Sequence, residues 1–375
     1  MKVSFATLSE DVEAVARSVL SRSTLGIDIG TSSIKVVQLS VDAHGPVLDT
    51  YGVIELGPYA DLVRGEVTTI DASKRAGALL DLLHEVDASA RRGGMSLPLS
   101  STFISVIESP KRDAEQMRRL IPSEAKPYIP VPMDSVTLDW QIIPEGGAGR
   151  AFEHAEAKEA VSPQMQKVLL AAVRNETIDL YRATAQSADL SVSFYEVEMF
   201  SASRAIARRA GECALLIDLG ASASKMYIVD EHGTALAAHA TGSGGAAITT
   251  RIMSACDWQF AEAESAKRSE GLSNARQRAG RAIAEEVASI WTEAKRMIQE
   301  YDRGHGRSIT HVVLVGGGAR MPGIADHAGK HFDHDILLGL PFEHVQGPMI
   351  LADVLHDVGP LYAVATGLAL RAISR

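Results

Sequence analysis

Leu25-Gly26-Ile27-Asp28-Ile29-Gly30-Thr31-Ser32-Ser33-Ile34-Lys35-Val36-Val37-Gln38-Leu39 opens the part of the chain that decides the fold. Its first six residues read as a buried strand ending in a tight turn, and Ile34–Leu39 as the antiparallel partner. The pattern returns at Ala214-Leu215-Leu216-Ile217-Asp218-Leu219-Gly220-Ala221-Ser222-Ala223-Ser224-Lys225-Met226-Tyr227-Ile228-Val229. A glycine and short hydroxyl residues in such a turn let backbone N–H groups approach a phosphate chain closely. Gly30, Thr31, Ser32 and Ser33 are the candidates in the first unit, Gly220, Ala221 and Ser222 in the second. Asp28 and Asp218, each ending a strand, can hold a hydrated Mg²⁺, which keeps most of its waters. Lys35, just past the first turn, can neutralise phosphate charge. One such unit alone is an ordinary hairpin. Two copies, each opening a new α/β unit, point to internal duplication with a ligand held between the halves.

A third stretch belongs with these two. Val312-Val313-Leu314-Val315-Gly316-Gly317-Gly318-Ala319-Arg320-Met321-Pro322-Gly323-Ile324 reads as a buried strand, a glycine triplet and a helix start. Bare glycines let a flat base and ribose rest against backbone, and a helix N-terminus favours negative charge. The plainer alternative for the triplet is helix packing.

Between the duplicated units the chain changes texture. Helical spacing runs through Asp71–Val86, and Ser101–Ile107 reads as a strand. Asp113–Ala125 reads as a helix and Val136–Ile142 as a strand, with the prolines of Tyr128–Pro132 keeping that link extended. Glu145–Gln164, rich in Gly, Ala and Glu, reads as an exposed hairpin loop. Val168–Val173 is an apolar strand, Glu176–Ala188 a helix and Ser191–Val197 a strand. Residues 95–190 therefore form a small α+β insert. Further on, Ala282–Tyr301 is a long helix whose apolar stripe is core, and Leu361–Ile373 a closing helix. Residues 1–24 suit a docking helix or frayed extension, with Val12, Val15, Val19 and Leu20 at helical spacing.

Composition limits the function classes. Of 375 residues, 37 are Lys or Arg and 47 Asp or Glu, a formal net charge of −10. That balance argues against a nucleic-acid binder and against a surface that adheres by itself to anionic lipid. Cys213 and Cys256 offer neither a disulfide framework nor metal-ligand spacing, so a reducing cytoplasm is expected. No continuous run of about 18 apolar residues predicts a membrane span. His239 and His311 stand singly beside strands, without a second ligand at spacing.

Taken in order, these motifs resemble those of the actin-like ATPase superfamily, which includes actin, Hsp70 chaperones, sugar kinases and the cell-division protein FtsA. Asp28–Lys35 and Asp218–Ser224 resemble its two phosphate motifs, and Val315–Gly323 its adenosine motif. Glu198–Ala205 and Ala363–Ala369 resemble its two connecting helices. Glu264-Ser265-Ala266-Lys267 is similar to the Glu-x-x-Lys pair that touches ribose and base, and on a helix the two side chains share a face. The resemblance implies an α/β fold of two duplicated domains around a nucleotide cleft. It assigns ATP and Mg²⁺ to Asp28, Gly30, Thr31, Ser32, Ser33, Lys35, Asp218, Gly220, Ala221, Ser222, Glu264, Lys267, Gly316, Gly317, Gly318 and Arg320. Glu198 is the candidate catalytic group by position; a solvated, dipole-favoured helix-start glutamate is its alternative.

Within the superfamily, Leu25–Gln38, Tyr128–Pro132 with Val136–Ile142 after it, and Ala365–Arg371 resemble the PilM family of type IV pilus assembly. That resemblance implies residues 1–24 as an extension and 25–94, 191–212 and 360–375 as a first domain (1A). It implies 95–190 as the FtsA/PilM-type insert (1C) and 213–359 as the second domain (2A/2B). It also implies an ATP-loaded cytoplasmic adaptor, peripheral to the inner membrane. Its partner would be a PilN-type bitopic membrane protein, whose N-terminal peptide lies in a groove between first domain and insert, with pilus motor ATPases as further contacts. Ala221 and Ala223 replace the hydroxyl residues commoner in the second phosphate motif, which makes ATP binding expected and hydrolysis weak or absent. The rivals are an FtsA-like filament former, which would add a membrane-binding tail after the final helix, and a small-molecule kinase. For a kinase, the insert offers only Asp134 and Asp139, neither beside a phosphate turn.

Overall fold

The computed structural model describes residues 23–143, 164–206, 212–231, 233–274, 277–305 and 308–374. The expected N-terminal helix, apart from Ser23 and Thr24, and the expected loop over 145–164, apart from Gln164, lie outside these residues.

The first half begins with β1 (Thr24–Ile29), β2 (Ser33–Asp42) and β3 (Gly45–Glu55), joined by short turns into an antiparallel meander. Every residue of β1 is buried, which suits a central strand covered on both faces. The chain then forms α1 (Ala72–Glu85), whose first turn is capped by Asp71 accepting from the Lys74 N–H at 2.9 Å. Leu79, Leu82 and Leu83 of α1 enter the core beneath β1. β4 (Arg92–Leu97) follows and pairs parallel with β1.

Next come β5 (Thr102–Pro110), α2 (Ala114–Ala125), β6 (Val136–Ile142) and β7 (Met165–Arg174). These strands make a separate antiparallel sheet in the order β5-β7-β6, with Met117 and Ile121 of α2 against one face. α3 (Asn175–Ser187), β8 (Ser191–Val197) and α4 (Glu198–Ala205) return to the first half, where β8 pairs parallel with β4. The first sheet is therefore β3-β2-β1-β4-β8.

The second half repeats this plan. β9 (Cys213–Leu219), β10 (Ser224–Val229) and β11 (Ala235–Thr241) form the meander, followed by α5 (Gly245–Cys256), α6 (Phe260–Ser269) and α7 (Arg278–His305). β12 (Ile309–Val315), α8 (Ile324–Gly329) and β13 (Asp335–Leu338) complete a sheet of order β11-β10-β9-β12-β13. The two sheets match strand for strand in order and direction. Asp28 faces Lys35 across β1 and β2, and Asp218 faces Lys225 across β9 and β10. The apolar stripe of α7, including Val287, Ile290, Trp291 and Ile298, is buried in the second core as expected.

The chain ends with α9 (Ala352–Val358) and α10 (Ala363–Ile373). A Cβ on Gly26 of β1 would lie 1.8 Å from the Ala365 carbonyl oxygen, and one on Gly367 would lie 1.8 Å from that of Ser201. Only glycine permits this backbone-to-backbone contact of α10 with β1 on one side and α4 on the other. A buried ionic cluster locks the crossing: Glu196 accepts from Arg204 at 2.6 Å and from Arg371, whose guanidinium lies 4.4 Å from the Phe194 ring centroid.

Three expectations change against this architecture. Residues 95–190 do not pack as one insert. Met95–Leu97 lie in β4, and α3 packs on α1 with Ile178 and Tyr181 in the first core, so the separate sheet begins at Thr102 and ends at Arg174. α3 reads from sequence as an insert helix because helical spacing does not say which sheet an apolar face covers. Residues 342–358 do not belong with the second half. Phe342, Val345 and Leu355 pack with Val37, Leu39 and Leu48, and Gln346 bonds the backbone of β3 at 2.8 Å. The link around Tyr128–Pro132 is extended only at its centre, since 3₁₀ turns at Lys126–Tyr128 and Met133–Ser135 flank it. The segment Met349–Ile373 is long and apolar enough to cross a membrane by length and composition, but it bends at Gly359–Tyr362 and residues 363–369 of α10 are core.

Candidate functional site

The duplicated turns face each other across a cleft of about 700 Å³. Every residue singled out in the sequence for ligand contact lines this one cavity: the Asp28–Lys35 hairpin, the Asp218–Ser222 hairpin, Gly316–Arg320, Glu264, Lys267 and Glu198.

Each hairpin closes in the same way. The Gly30 N–H donates to the Ser33 carbonyl at 3.0 Å, and the Gly220 N–H to the Ala223 carbonyl at 3.2 Å. A Cβ on Gly30 would approach Lys35 Nζ to 3.3 Å, and one on Gly220 the Ala223 carbonyl to 2.8 Å. The second turn is buttressed by the start of α5, where the Gly245 and Ala246 N–H groups bond the Gly220 and Ala221 carbonyls at 2.9 and 2.8 Å. Gly316 carries a positive φ of 84°, and a Cβ there would lie 2.3 Å from Asp218 Oδ1. Gly316 and Gly318 thus pack closely against Asp218 and Leu219 at the end of β9, where a side chain would clash.

The charges are arranged in pairs. Lys35 Nζ lies 3.3 Å from Asp28, whose other oxygen accepts from the Ser96 hydroxyl at 2.9 Å. Lys225 Nζ lies 3.6 Å from Asp218 and 2.6 Å from Glu198. Glu198 is only 6 % exposed, so it is not the solvated helix-start residue of the alternative reading. Its second oxygen accepts the Leu99 N–H at 2.7 Å. Burial raises the Glu198 carboxyl above the usual range against the pull of Lys225, and the neighbouring Asp218 adds to the rise. Burial opposes the charge on Lys225, yet Glu198 and Asp218 hold its ammonium well above the ordinary lysine value. A carboxylate raised in this way is a better proton acceptor near neutral pH than an exposed one.

On the other wall, Glu264 and Lys267 pair at 2.5 Å on one face of α6. Glu264 also accepts from Thr249 at 2.6 Å, and Lys267 donates to the Gly245 carbonyl at 3.0 Å. Burial works to raise Glu264, but Lys267, Thr249 and Arg268 outweigh it and hold the carboxyl low. Arg320 lines the cleft while its guanidinium reaches Asp357 at 2.8 Å, tying the glycine turn to α9.

Three residues escape the sequence reading. Lys225 is the counterpart of Lys35, and the equal Asp-to-Lys spacing in the two units was its signal. Arg268 joins Glu264 at 2.7 Å and Glu55 of β3 at 3.0 Å, bridging the two halves over the cleft. Nothing local in the sequence marks that contact. Gly245 was signalled by the Gly-Ser-Gly-Gly run before α5.

Such a cleft fits a nucleotide by its donors and shape: two glycine turns, two lysines and two strand-end carboxylates converge where a phosphate chain would lie. Asp28 and Asp218 also suit a Mg²⁺ held through one or two carboxylates and waters. Among the described residues no cluster of three or more His, Cys, Asp or Glu forms a dedicated metal cage.

Comparison with solved structures finds the same architecture. The PilM–PilN type IV pilus biogenesis complex matches at 24 % identity, with 93 % of this chain and 98 % of that one covered and a TM-score of 0.78. The ethanolamine utilization protein EutJ from Carboxydothermus hydrogenoformans matches at 12 % identity, 97 % and 98 % coverage and a TM-score of 0.53. The diol dehydratase-reactivating factor in nucleotide-free form matches at 12 % identity, 93 % and 99 % coverage and a TM-score of 0.54. These likenesses are of fold, and with the duplicated sheets they make this an actin-like ATPase fold. The family of type IV pilus assembly protein PilM matches residues 26–373, from the first phosphate hairpin through the insert sheet to the end of α10. With nearly all of its length accounted for in that way, the chain belongs to the PilM family of type IV pilus assembly proteins.

Proposed function

We propose that this protein is an ATP-binding adaptor of type IV pilus assembly. It sits at the cytoplasmic face of the inner membrane by holding the N-terminal peptide of a PilN-type bitopic membrane protein, and it links that complex to the pilus motor. The observation that carries the nucleotide half of this reading is the convergence of both Asp-Gly hairpins, the Gly316 turn and the Glu264–Lys267 pair on one cleft. Family membership, and the fold shared with a PilM that is solved with PilN, support the adaptor half.

Lys35 and Lys225 neutralise the phosphate chain, which lies against the tips of the two hairpin turns at Thr31–Ser32 and Ala221–Ser222. Asp28 and Asp218 are the residues that would hold Mg²⁺. The metal supplies charge neutralisation of the phosphates when bound. Glu198 is the residue placed to orient or deprotonate a water, but in this conformation Lys225 occupies its carboxylate. Hydrolysis is accordingly weak or absent. The peptide lies in the groove between the first domain and the insert sheet.

Titration calorimetry of Asp28→Ala and Asp218→Ala with Mg²⁺-ATP tests the site. Each variant should bind at least about tenfold more weakly, because each removes a strand-end carboxylate and frees its lysine from the arranged pair. ATP affinity equal to the parent in both variants overturns the nucleotide assignment. Binding of a PilN-type N-terminal peptide to the full chain, read by fluorescence anisotropy, tests the adaptor role, and a folded protein with no measurable binding overturns it.

A further inference from the structure

The small core that Phe342, Val345 and Leu355 close over β2 and β3 is open at one rim, where Leu351, Leu370 and Ile373 stay half-buried. Beyond that rim Met349 is 94 % exposed, Ile350 90 % and Val354 45 %. Met349 and Ile350 share one 3₁₀ turn with Leu351, and Val354 lies just past it in α9. Large apolar side chains grouped in this way form a patch, unlike the scattered single residues of an ordinary surface. The described chain starts beside this patch. The Ser23 hydroxyl donates to Asp49 of β3 at 2.8 Å, and the Thr24 hydroxyl to the Ala369 carbonyl at 3.5 Å, next to Leu370 in α10. Thr24 also begins a row across the first sheet: it pairs with Leu39, Leu39 pairs with Leu48, and the Leu48 N–H donates to the Gln346 carbonyl at 2.8 Å. Three strand spacings separate the ends of that row, about 14 Å. Met349 is three residues past Gln346, at most about 10 Å further.

The segment that precedes Ser23 carries a matching pattern. Phe5, Leu8, Val12, Val15 and Val19 follow one another at steps of three and four, which on a helix makes a single apolar stripe about 21 Å long. A stripe of that length spans the distance from the chain's entry to Met349. The charges fit as well. Residues 17–22, next to the entry, hold Arg17 and Arg22 and no carboxylate, whereas residues 342–358 hold Glu343, Asp353 and Asp357 and no Lys or Arg. Those three carboxylates would repel anionic lipid, and a two-fold contact between copies would set them against each other. We propose that residues 5–20 of this same chain dock as an amphipathic helix on the rim, with the Phe5–Val19 stripe covering Met349 and Ile350. The docking goes beyond the adaptor reading and depends on neither the nucleotide nor the peptide site.

Thiol labelling of Met349→Cys tests this, in a Cys256→Ser background where the remaining Cys213 is buried. Met349 is almost wholly outside the core, so the substitution leaves the fold intact. A maleimide should label the full chain at least about tenfold more slowly than a form lacking residues 1–22. Val12→Glu with Val15→Glu, in the full chain, should restore the fast rate by placing two carboxylates on the stripe. The slow rate should not change with protein concentration. Cooperative thermal unfolding checks each form, and the valine pair carries the test should the shortened chain fail to fold. Equal rates in the full and shortened chains overturn the proposal, as does slow labelling that the valine pair leaves unchanged. Protection that grows with concentration, together with a dimer in sedimentation, assigns the patch to a second copy and overturns it. Protection that arises only on adding vesicles containing phosphatidylglycerol assigns it to a lipid surface and does the same.

Discussion

Lys225 Nζ lies 2.6 Å from Glu198, and the other oxygen of that carboxylate takes the Leu99 N–H at 2.7 Å. Two contacts therefore connect the second phosphate hairpin, through the start of α4, to the 3₁₀ turn at Leu99–Ser101 that leads directly into β5 and the insert sheet. A phosphate chain in the cleft would compete with Glu198 for Lys225 and loosen the first link. Lys225→Met should lower ATP affinity by at least about tenfold. It should also cost about 3 kcal/mol of stability, because Glu198 is left buried without its partner. The double variant with Glu198→Gln should regain part of the stability and none of the affinity. Calorimetry and denaturant unfolding read both effects; parent-like ATP affinity in Lys225→Met would remove the lysine from the site.

Two glycine-to-alanine changes should go in opposite directions. Gly316→Ala forces a side chain into φ 84° and against Asp218 Oδ1, at a cost of about 2 kcal/mol or more with weaker nucleotide binding. Gly77 lies inside α1 with open space where its Cβ would be, so Gly77→Ala should gain up to about 1 kcal/mol. Chemical denaturation of the two variants beside the parent tests the pair, and equal signs would show that the backbone conformation at Gly316 is not what constrains it.

Arg268 is about half exposed, so its contacts with Glu55 and Glu264 add little to stability, under about 1 kcal/mol. Their place across the cleft gives them a kinetic role. Arg268→Gln should speed release of a fluorescent ATP analogue a few-fold at low ionic strength, with the difference shrinking as salt is added. A release rate that does not change with the substitution would mean that the cleft opens elsewhere.

His327 should make stability depend on pH. Burial lowers it to about 4, helped by His331 and Lys330, and Trp291 Nε1 donates to its Nδ1 at 3.0 Å. Protonation there would set two donors face to face. The unfolded chain binds this proton below about 6.5 and the folded one only near 4, so the unfolded state holds more protons in between. Stability from this group is full above pH 6.5 and falls as pH drops from 6.5 towards 4. In His327→Asn, where an amide oxygen can accept from Trp291 without titrating, the fall in Tm over that range should be shallower than in the parent. Parallel Tm–pH curves would exclude the role of His327.

Much of the cleft was legible from local pattern. Apolar strands ending in Asp-x-Gly, repeated, imply where two backbone turns must lie, because residue type constrains a tight turn within a few positions. The Glu264–Lys267 pair was singled out by the family resemblance, and helical spacing put its two side chains on one face, where they pair. Lys225 was present in the repeat, yet its role depends on Glu198, which reaches it from a helix that starts 27 residues earlier. For Glu198 the sequence left the catalytic candidate and the solvated helix-start residue both open, since a helix-start glutamate carries no mark of burial in its own neighbourhood.

By itself, then, the sequence determined the strands, the two hairpins, the glycine turn and the duplication, all properties of short segments in which side-chain period and backbone freedom decide the outcome. Only the tertiary structure decided which sheet each amphipathic segment covers. α3 lies on the first core and not in the insert, and residues 342–358 cross back to β2 and β3. It alone also joined Arg268 to Glu55. Contacts between residues far apart in the chain are set by how whole layers pack, and an apolar face is equally satisfied in sequence terms by any layer that buries it.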